Sequence, residues 1–311
     1  MKYETAGDPI TGLKWTRKTT EKIALELKSI KIAVCPNTVA KLLKALRYSL
    51  RVNHKKLNAN KTKKPPDEKK RDRQFRYIRQ LREAFETKCW PSISVDAKKR
   101  ELVGNFKNPG TSWARETRLV NDHDFRSQAV GIALSYGIYD TLANRGLVCV
   151  GTTHDTSAFA VDAIAKWWRH DGCKRYPKAK QLLVLADSGG SNGSRSDLWK
   201  YALQEKICNR YGLTVTVCHY PPGSSKWNPI EHRLFSEITK NWAGIPLESY
   251  ETILNYIRTT KTKTGLKVKA MLLKKKYETG LKISETQTAK IMIKPHTTFP
   301  EWNYTLRPAK M

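Results

Sequence analysis

Three acidic residues stand at positions from which carboxylates can converge in a folded α/β domain. Asp96 ends the predicted strand 93–96, Asp187 ends the apolar run 182–187, and Glu231 lies in the first turn of a predicted helix. We expect the two strands to be neighbours and the helix to pack on their sheet, which brings the three carboxylates to one end. Such carboxylates repel one another and raise one another's pKa unless cations occupy the site. Two Mg²⁺ ions, for which Mn²⁺ can substitute, would relieve the repulsion and activate a water or a 3′ hydroxyl against a phosphodiester.

Each acid also has an ordinary structural interpretation. Asp96 could pair with the lysines at 98–99, and Glu231 could be a first-turn acid that the helix dipole favours. The spacing of Glu231 with Phe235 and Ile238 favours a position of Glu231 at the site of the three acids, because it turns all three side chains toward the sheet. Catalysis and plain surface pairing both stay open for Asp96 at this point.

The segment that follows Asp187 is rich in glycine. Residues 189–193 read Gly-Gly-Ser-Asn-Gly, and the glycines would let a DNA backbone approach closely. The segment lacks the Gly-Lys-Ser/Thr signature of a nucleotide-binding P-loop.

A competing site lies at His154 and Asp155. Asp155 could replace one of the three acids as an accessory carboxylate, but with Thr156 beside it the alternative is a cap on the next helix. His232, next to Glu231, could touch DNA or the scissile phosphate. Two further acids, both expected to face solvent, are Glu101 and Glu237.

The charge of the chain points to a polyanionic partner. Its 311 residues contain 58 Lys or Arg and 28 Asp or Glu, which gives a net charge of +30. Residues 1–90 hold 24 of the basic and nine of the acidic residues, so this arm is the most charge-dense part. We therefore predict double-stranded DNA as the partner.

The amino-terminal arm contains two predicted short helices. Thr19 precedes a helix with apolar Ile23, Leu27 and Ile30, and a second helix begins at Pro36, with an apolar face made by Val39, Leu42, Leu43 and Leu46. This spacing is typical of a helix-turn-helix, whose second helix enters the major groove, although a small bundle with a solvated basic face is the alternative. The predicted DNA-binding residues are Asn37, Thr38, Lys41, Lys44, Arg47, Lys55 and Lys56.

The remaining periodicity predicts an α/β fold. Residues 93–96 and 102–106 are predicted to form a hairpin and 146–151 a third strand. The later elements are predicted as a helix (157–170), a strand (182–187), a helix (195–211), a strand (213–218) and a helix (229–242). The order βββαβαβα predicts a ribonuclease-H-like mixed sheet flanked by helices, preceded by an all-α helix-turn-helix domain.

These elements divide the chain into four predicted segments. They are a DNA-binding domain (1–60), a basic linker and helix (61–88), a catalytic domain (89–245) and a basic carboxyl-terminal extension (246–311). The basic residues of the last segment could track a phosphate backbone or simply be solvated. Scattered cysteines, and the lack of a signal peptide or a membrane-spanning apolar stretch, predict a cytoplasmic, nucleoid-associated prokaryotic protein without a membrane partner.

Five segments resemble the ISAzo-type family of insertion-sequence transposases. They are Ser94–Asn108 (SVDAKKRELVGNFKN), His123–Phe125 (HDF), Tyr136–Asp140 (YGIYD), Ala186–Arg195 (ADSGGSNGSR) and Pro221–Ser236 (PPGSSKWNPIEHRLFS). In the motif at 228–231, Pro229 stands where we expect Lys in close relatives. The chain is also expected to begin inside the family's amino-terminal region, so that a first DNA-binding segment would be missing.

The resemblance implies a DDE transposase with Asp96, Asp187 and Glu231 as its acidic triad. Such enzymes use the triad with Mg²⁺ for strand cleavage and strand transfer at the ends of the element. Binding of two terminal repeats and a target implies a homodimer or higher oligomer on DNA. Two alternatives remain: a ribonuclease-H-like nuclease that cuts without joining, and a truncated, inactive DNA-binding repressor of transposition.

Overall fold

The computed structural model describes residues 5–7, 14–16, 19–46, 48, 68–111 and 119–309. The chain divides into two compact units, residues 1–58 and residues 59–311. The predicted DNA-binding residues Arg47, Lys55 and Lys56 lie outside the described residues.

The described part of the first unit contains a two-stranded ribbon and two helices. Strands β1 (Thr5–Gly7) and β2 (Lys14–Thr16) pair antiparallel, so the unit is not purely helical as predicted. Helix α1 (Thr20–Ser29) begins where the Thr19 hydroxyl accepts a hydrogen bond from the backbone N–H of Lys22 at 3.2 Å. Helix α2 spans Pro36–Ala45.

The two helices of this unit share a small apolar core. Ile23 and Ala24 of α1 pack with Val39 of α2. Three residues expected on the apolar faces, Ile30, Leu42 and Leu46, are instead exposed. The core is therefore narrower than the sequence pattern predicted.

The described part of the second unit contains a nine-stranded mixed sheet. The spatial order is β10-β11-β8-β7-β3-β5-β6-β9, and β4 pairs with β5 beside this path. The strands are β3 (Ser92–Ala97), β4 (Glu101–Val103), β5 (Gly131–Asp140), β6 (Arg145–Gly151), β7 (Gln181–Ala186), β8 (Thr214–His219), β9 (Lys267–Leu273), β10 (Ile293–Pro295) and β11 (Asn303–Leu306). Three antiparallel strands, β3, β5 and β6, are followed by β7 and β8, which join in parallel; this is the predicted ribonuclease-H-like fold.

The predicted hairpin between residues 93–96 and 102–106 is wrong. The antiparallel partner of β3 is β5, a ten-residue strand that the sequence pattern did not predict, and β4 pairs with β5 rather than β3. β5 carries glycine at positions 131 and 137, and glycine weakens the local preference for a strand.

Helices cover both faces of the sheet. They are α3 (Glu68–Thr87), α4 (Ser157–Trp167), α5 (Cys173–Arg175), α6 (Asp197–Leu203), α7 (Ser236–Asn241), α8 (Tyr250–Thr259) and α9 (Glu285–Thr288). Five-to-six-residue π-helical turns extend α4 through 168–172, extend α6 through 204–209, and precede α7 at Glu231–Phe235.

Alternate residues of the central strands pack into separate hydrophobic cores on the two faces of the sheet. Leu182 and Val184 of β7 pack against α4 and α6, whereas Leu183 and Leu185 pack against α3. Helices α7 and α8 cover the remainder of the second face over β5, β6 and β9. Because both faces are covered, the polar ends of the central strands are the places where the strands can present reactive side chains.

Residues 246–311 contribute strands to both edges of this sheet. β9 pairs in parallel with β6, and β11 pairs antiparallel with β8. Several cations of this segment have protein partners: Lys269 pairs with Asp171 at 2.6 Å and Lys275 with Asp162 at 3.0 Å. Within the described ranges, no helix combines the length and the apolar character that a membrane crossing requires.

Candidate active site

Two of the three predicted acids lie side by side at one edge of the sheet. β3 and β7 run parallel with Val95 opposite Ala186, so the next residues, Asp96 and Asp187, occupy adjacent positions. Asp96 is 7% exposed and Asp187 is half-buried.

The third acid is brought to this edge by a buried asparagine. The Asn228 side chain donates to the Val95 carbonyl at 3.2 Å and accepts a hydrogen bond from the Ser94 hydroxyl. The Ser94 hydroxyl in turn accepts from the backbone N–H of Ile230 at 3.0 Å. These bonds tie the start of the helical segment 231–241, called here the Glu231 helix, to β3, the strand that carries Asp96.

Two glycines let this helix lie close against the sheet. A Cβ atom at Gly137 would lie 2.6 Å from Phe235 Cε1 and 2.8 Å from Ile230 Cδ1. A Cβ atom at Gly146 would lie 2.6 Å from Leu234 Cδ1. The close approach places Phe235 in the core and leaves Glu231 half-buried at the sheet edge.

The glycine-rich loop after Asp187 is held from three sides. Tyr136 of β5 donates its hydroxyl to the Asn192 side-chain oxygen at 2.5 Å. The Ser157 hydroxyl donates to the Ser191 carbonyl at 2.9 Å, and His219 Nε2 lies 2.9 Å from the Asn192 carbonyl. Gly190 within the loop has φ of +61°, a conformation that glycine adopts without strain.

Burial and neighbouring negative charge raise the pKa of all three acids. Burial, with the charges of Asp187 and Glu231, raises the pKa of Asp96 to about 8. Burial raises the pKa of Asp187, to which the charge of Asp155 adds. Burial also raises the pKa of Glu231, and the charge of Asp187 adds to this, although His232 and Lys98 act in the opposite direction. Without a cation at the site, ionisation of all three carboxyl groups is therefore disfavoured.

The charged residues near the three acids have ion-pair partners of their own. Lys98 pairs with Glu101 at 2.6 Å rather than with Asp96, and Glu237 pairs with Lys240 at 2.7 Å. The cation expected to neutralise Asp96 is thus engaged elsewhere.

Asp155 does not cap the helix that follows it, contrary to the expected alternative. Thr156 is the N-cap of α4 and accepts from the backbone N–H of Phe159 at 3.2 Å. Asp155 is half-buried with its Oδ1 lacking a hydrogen-bond partner, and His154 Nδ1 lies 3.0 Å from the Tyr277 carbonyl. The exposed ring of His232 is hydrogen-bonded to the Lys226 carbonyl.

The predicted DNA-binding residues of α2 lie on its surface where they are described. Asn37, Lys41 and Lys44 are exposed, and Thr38 is half-buried with its hydroxyl 3.2 Å from Cys35 Sγ. The positioning residues Ser94, Tyr136, Asn192 and Asn228 were not predicted, because their roles depend on contacts between distant parts of the chain.

Comparison with known proteins gives the family. The sequence profile of the family described as "Rhodopirellula transposase DDE domain" matches residues 1–308. The chain belongs to this transposase family. No curated protein matches it.

Solved Mos1 structures resemble the transposase distantly. The Mos1 transposase paired-end complex with left transposon end is 14% identical, with a TM-score of 0.45 over 77% of this chain and 65% of that chain. The Mos1 strand transfer complex is 14% identical, with a TM-score of 0.44 over 77% of this chain and 64% of that chain. The transposase thus spans about 65% of the length of the Mos1 chain in the first of these structures.

The donor set at the site suits a hard divalent cation. All the converging groups are carboxylates, and buried oxygens of Asp187 and Asp155 lack hydrogen-bond partners. Across the described ranges, no three His, Cys, Asp or Glu side chains are arranged as a ready-made metal cage. Asp96, Asp187 and Glu231 would therefore hold the metal only after their side chains adjust around it.

Acid repulsion predicts how the stability of the metal-free transposase depends on pH. Because the folded pKa of Asp96 is about 8 and an unfolded Asp has a pKa of about 3.9, the folded protein binds this proton more tightly. The proton bound to Asp96 therefore stabilises the folded state fully below pH of about 4, and this stabilisation is lost as pH rises through about 8. In EDTA, we expect the melting temperature of wild type to fall relative to Asp96→Asn as pH rises, by about 2–4 °C per kcal/mol lost.

Thermal melting of both proteins from acidic to alkaline pH measures this effect. Mg²⁺ should raise the melting temperature of wild type at alkaline pH and have little effect on Asp96→Asn. A constant difference between the two proteins at every pH would contradict the assigned repulsion.

Proposed function

We propose that the transposase cuts DNA at the ends of an insertion sequence and transfers the freed 3′ ends to target DNA. The observation that carries this proposal is the convergence of Asp96, Asp187 and Glu231, with raised pKa values, at one edge of the sheet in a chain of a transposase family. Two Mg²⁺ ions, replaceable by Mn²⁺, are the proposed cofactor. Bound there, they would activate the attacking water or 3′ hydroxyl and stabilise the charge of the leaving oxygen.

The protein's own groups have distinct proposed roles. Asp96, Asp187 and Glu231 provide the oxygen ligands, and Asp155 is an accessory carboxylate beside Asp187. Gly189 and Gly190 are exposed, and a strand of DNA can approach the backbone of their loop closely. His232 is a proposed accessory contact to the scissile phosphate. No covalent bond between protein and DNA is required, because the nucleophiles are water and the DNA hydroxyl.

We propose that residues 1–60 form the domain that recognises the terminal repeats. Residues 61–88 are the proposed linker and helix, 89–245 the catalytic domain and 246–311 its basic extension. Asn37, Thr38, Lys41 and Lys44, with Arg47, Lys55 and Lys56, are the proposed contacts to double-stranded DNA. Two ends must be held together for transfer, so the proposed active form is a homodimer or higher oligomer, acting in the cytoplasm at the nucleoid.

Replacing Lys41 and Lys44 with alanine should weaken DNA binding and reduce its dependence on salt. Each lost phosphate contact should lower the slope of log K against log salt by about 0.9. Fluorescence anisotropy with a labelled terminal-repeat duplex over a series of salt concentrations measures the slope. Lys282→Ala/Lys290→Ala is the matched control, since both lysines are exposed and lie outside the proposed contacts. An equal loss in both double variants would contradict a specific role for α2.

Strand cleavage and joining on a labelled oligonucleotide with the element's terminal repeat tests the proposed function. With Mg²⁺ or Mn²⁺ and target DNA, we expect both a cleaved strand and a longer joined product. Cleavage without joining would indicate a nuclease, and binding without chemistry would indicate a repressor; either result would overturn the proposal.

A further inference from the structure

One tryptophan lies at the surface beside the site of the three acids. Trp227 is 56% exposed, whereas Trp167, Trp199 and Trp242 are fully buried. It directly precedes Asn228, the residue that ties the Glu231 helix to β3. The exposed indole therefore lies next to the residue that positions Glu231.

The segment that carries Trp227 is held by its own hydrogen bonds. The backbone N–H of Trp227 donates to the Ser224 carbonyl at 2.8 Å, and that of Ser224 donates to the Pro221 carbonyl at 3.1 Å. Tyr220, at the start of the segment, donates its backbone N–H to the Ala186 carbonyl at 2.8 Å. The indole ring is thus presented to solvent from a fixed backbone.

A cavity of about 490 Å³ lies between this segment and α3, with Trp227 and Tyr220 on one side. Phe75 of α3 meets the Trp227 ring edge-on, with centroids 5.9 Å apart and an interplanar angle of 66°. Phe75 also lies 6.0 Å from the ring of Tyr220. The three rings make an apolar, aromatic wall of a size that suits a small flat ligand.

Basic groups surround this aromatic wall. Arg71, Arg79 and Arg82 of α3 line the cavity, and the Lys226 ammonium lies 5.6 Å from the Trp227 ring centroid. Arg82 Nε is buried without a hydrogen-bond partner, while a terminal nitrogen of the same guanidinium pairs with Glu86 at 3.5 Å.

Acidic groups limit the attraction of this cavity for bare phosphate. Glu68 and Asp72 also line it, against three arginines. Binding must therefore depend on stacking against the rings as much as on charge. A nucleotide provides both features: an aromatic base that can stack and a phosphate that can accept from arginine.

We infer that this cavity takes an unpaired nucleobase of the DNA strand held at the three acids, with Trp227 as the stacking platform. A base inside a duplex is covered on both faces by its neighbours, so the base that stacks on Trp227 must be unstacked from the duplex. Glu231 lies four positions after Trp227 in the chain, which places the unpaired nucleotide near the point of cleavage. The inference rests on the proposed function, because it takes DNA as the substrate.

The test compares binding of two probes without divalent metal. One is a short single-stranded oligonucleotide containing 2-aminopurine, and the other is the same sequence as a duplex. Trp227→Ala removes the platform, and Trp227→Phe keeps an aromatic ring as a check that the segment still folds. Phe125→Ala is the matched control, because Phe125 is also 56% exposed and does not line the cavity.

Stacking of one base predicts that Trp227→Ala binds the single-stranded probe about 5- to 150-fold more weakly than wild type. Trp227→Phe should keep most of the affinity, and Phe125→Ala should bind like wild type. The 2-aminopurine fluorescence should be quenched by wild type and Trp227→Phe and stay bright with Trp227→Ala. Unchanged affinity in Trp227→Ala, or an equal loss for both probes, would overturn the inference.

The metal-free assay separates this inference from the proposed function. Asp187→Asn should bind and quench the probe like wild type, although it should not cut DNA. Quenching that depends on Trp227 in a protein that cannot cut or join strands would support the cavity while contradicting the proposed function. Strand joining without quenching would contradict the cavity alone.

Discussion

Replacing Asp187 with asparagine should reduce strand cleavage and joining by about 10⁴-fold or more. The change removes a charged ligand oxygen from the cluster but keeps the shape of the side chain. It also relieves repulsion at Asp96, so the variant should fold at least as stably as wild type. DNA affinity should be unchanged or higher, since one negative charge near the DNA backbone is gone.

A gel assay of cleaved and joined products, beside an anisotropy measurement of affinity, checks this result. Asp197→Asn is the matched control, because Asp197 is an exposed acid on α6 that pairs with Lys200 at 3.0 Å. This control should retain wild-type activity. A loss of DNA affinity as large as the loss of cleavage in Asp187→Asn would contradict a catalytic role for the carboxylate.

Replacing Asn228 with alanine should reduce strand cleavage by about 100-fold through the position of Glu231 alone. The change removes the donor to the Val95 carbonyl and the acceptor of the Ser94 hydroxyl, so the start of the Glu231 helix is no longer tied to β3. Leaving the buried Ser94 hydroxyl with one partner fewer should also lower the free energy of unfolding by about 1–3 kcal/mol.

Cleavage rates and denaturant unfolding of the same preparation separate the two effects. Asn255→Ala on α8 is the control, because Asn255 is exposed and far along the chain from the site. Ser94→Ala should reproduce part of the cleavage defect, since Ser94 also accepts from the Ile230 N–H at 3.0 Å. A stable Asn228→Ala protein with wild-type cleavage would show that Glu231 does not depend on this link.

The adjacent positions of Asp96 and Asp187 could be predicted because strand ends are visible in the sequence. Asp187 follows five buried apolar residues, and such a run marks a central strand whose end meets solvent. Asp96 stands near the end of a second buried strand, and the two strands do pair in parallel. Local patterning is sufficient here, because neighbouring parallel strands place their ends together.

β5 could not be predicted for a reason that also explains its glycines. Gly137 lowers the preference of residues 131–140 for a strand, yet the structure needs glycine there to admit Phe235 and Ile230. The local cost and the distant benefit lie about 100 residues apart in the chain. A pattern of neighbouring residues shows only that glycine disfavours a strand, and not that glycine is needed for contact with Phe235 and Ile230.

β9 was missed although its pattern was visible. Lys267 and Lys269 are exposed while Val268 and Ala270 are buried, which is the alternation of a strand with one solvated face. The abundance of lysine suggested a phosphate-tracking surface instead. The many lysines therefore drew attention away from the alternation of exposed and buried residues, which is the pattern of a strand at the edge of the sheet.

The exposure of the Trp227 indole and the role of the buried Asn228 could not be predicted from local sequence patterns. Nothing in the sequence distinguishes Trp227 from the buried tryptophans, because its exposure follows from where α3 and the segment before Asn228 meet. Asn228 was visible only as part of a motif. Its role depends on Ser94 and Val95, which lie more than 130 residues earlier.

The location of bound metal tests whether Asp96, Asp187 and Glu231 form the catalytic metal site. Crystals of the transposase with element-end DNA and Mn²⁺ can be measured for anomalous scattering at the manganese edge. We expect manganese peaks bounded by the carboxylates of Asp96, Asp187 and Glu231, and no peak there in crystals of Asp187→Asn. Manganese bound elsewhere in a complex that cleaves DNA, with this cluster empty, would contradict this assignment.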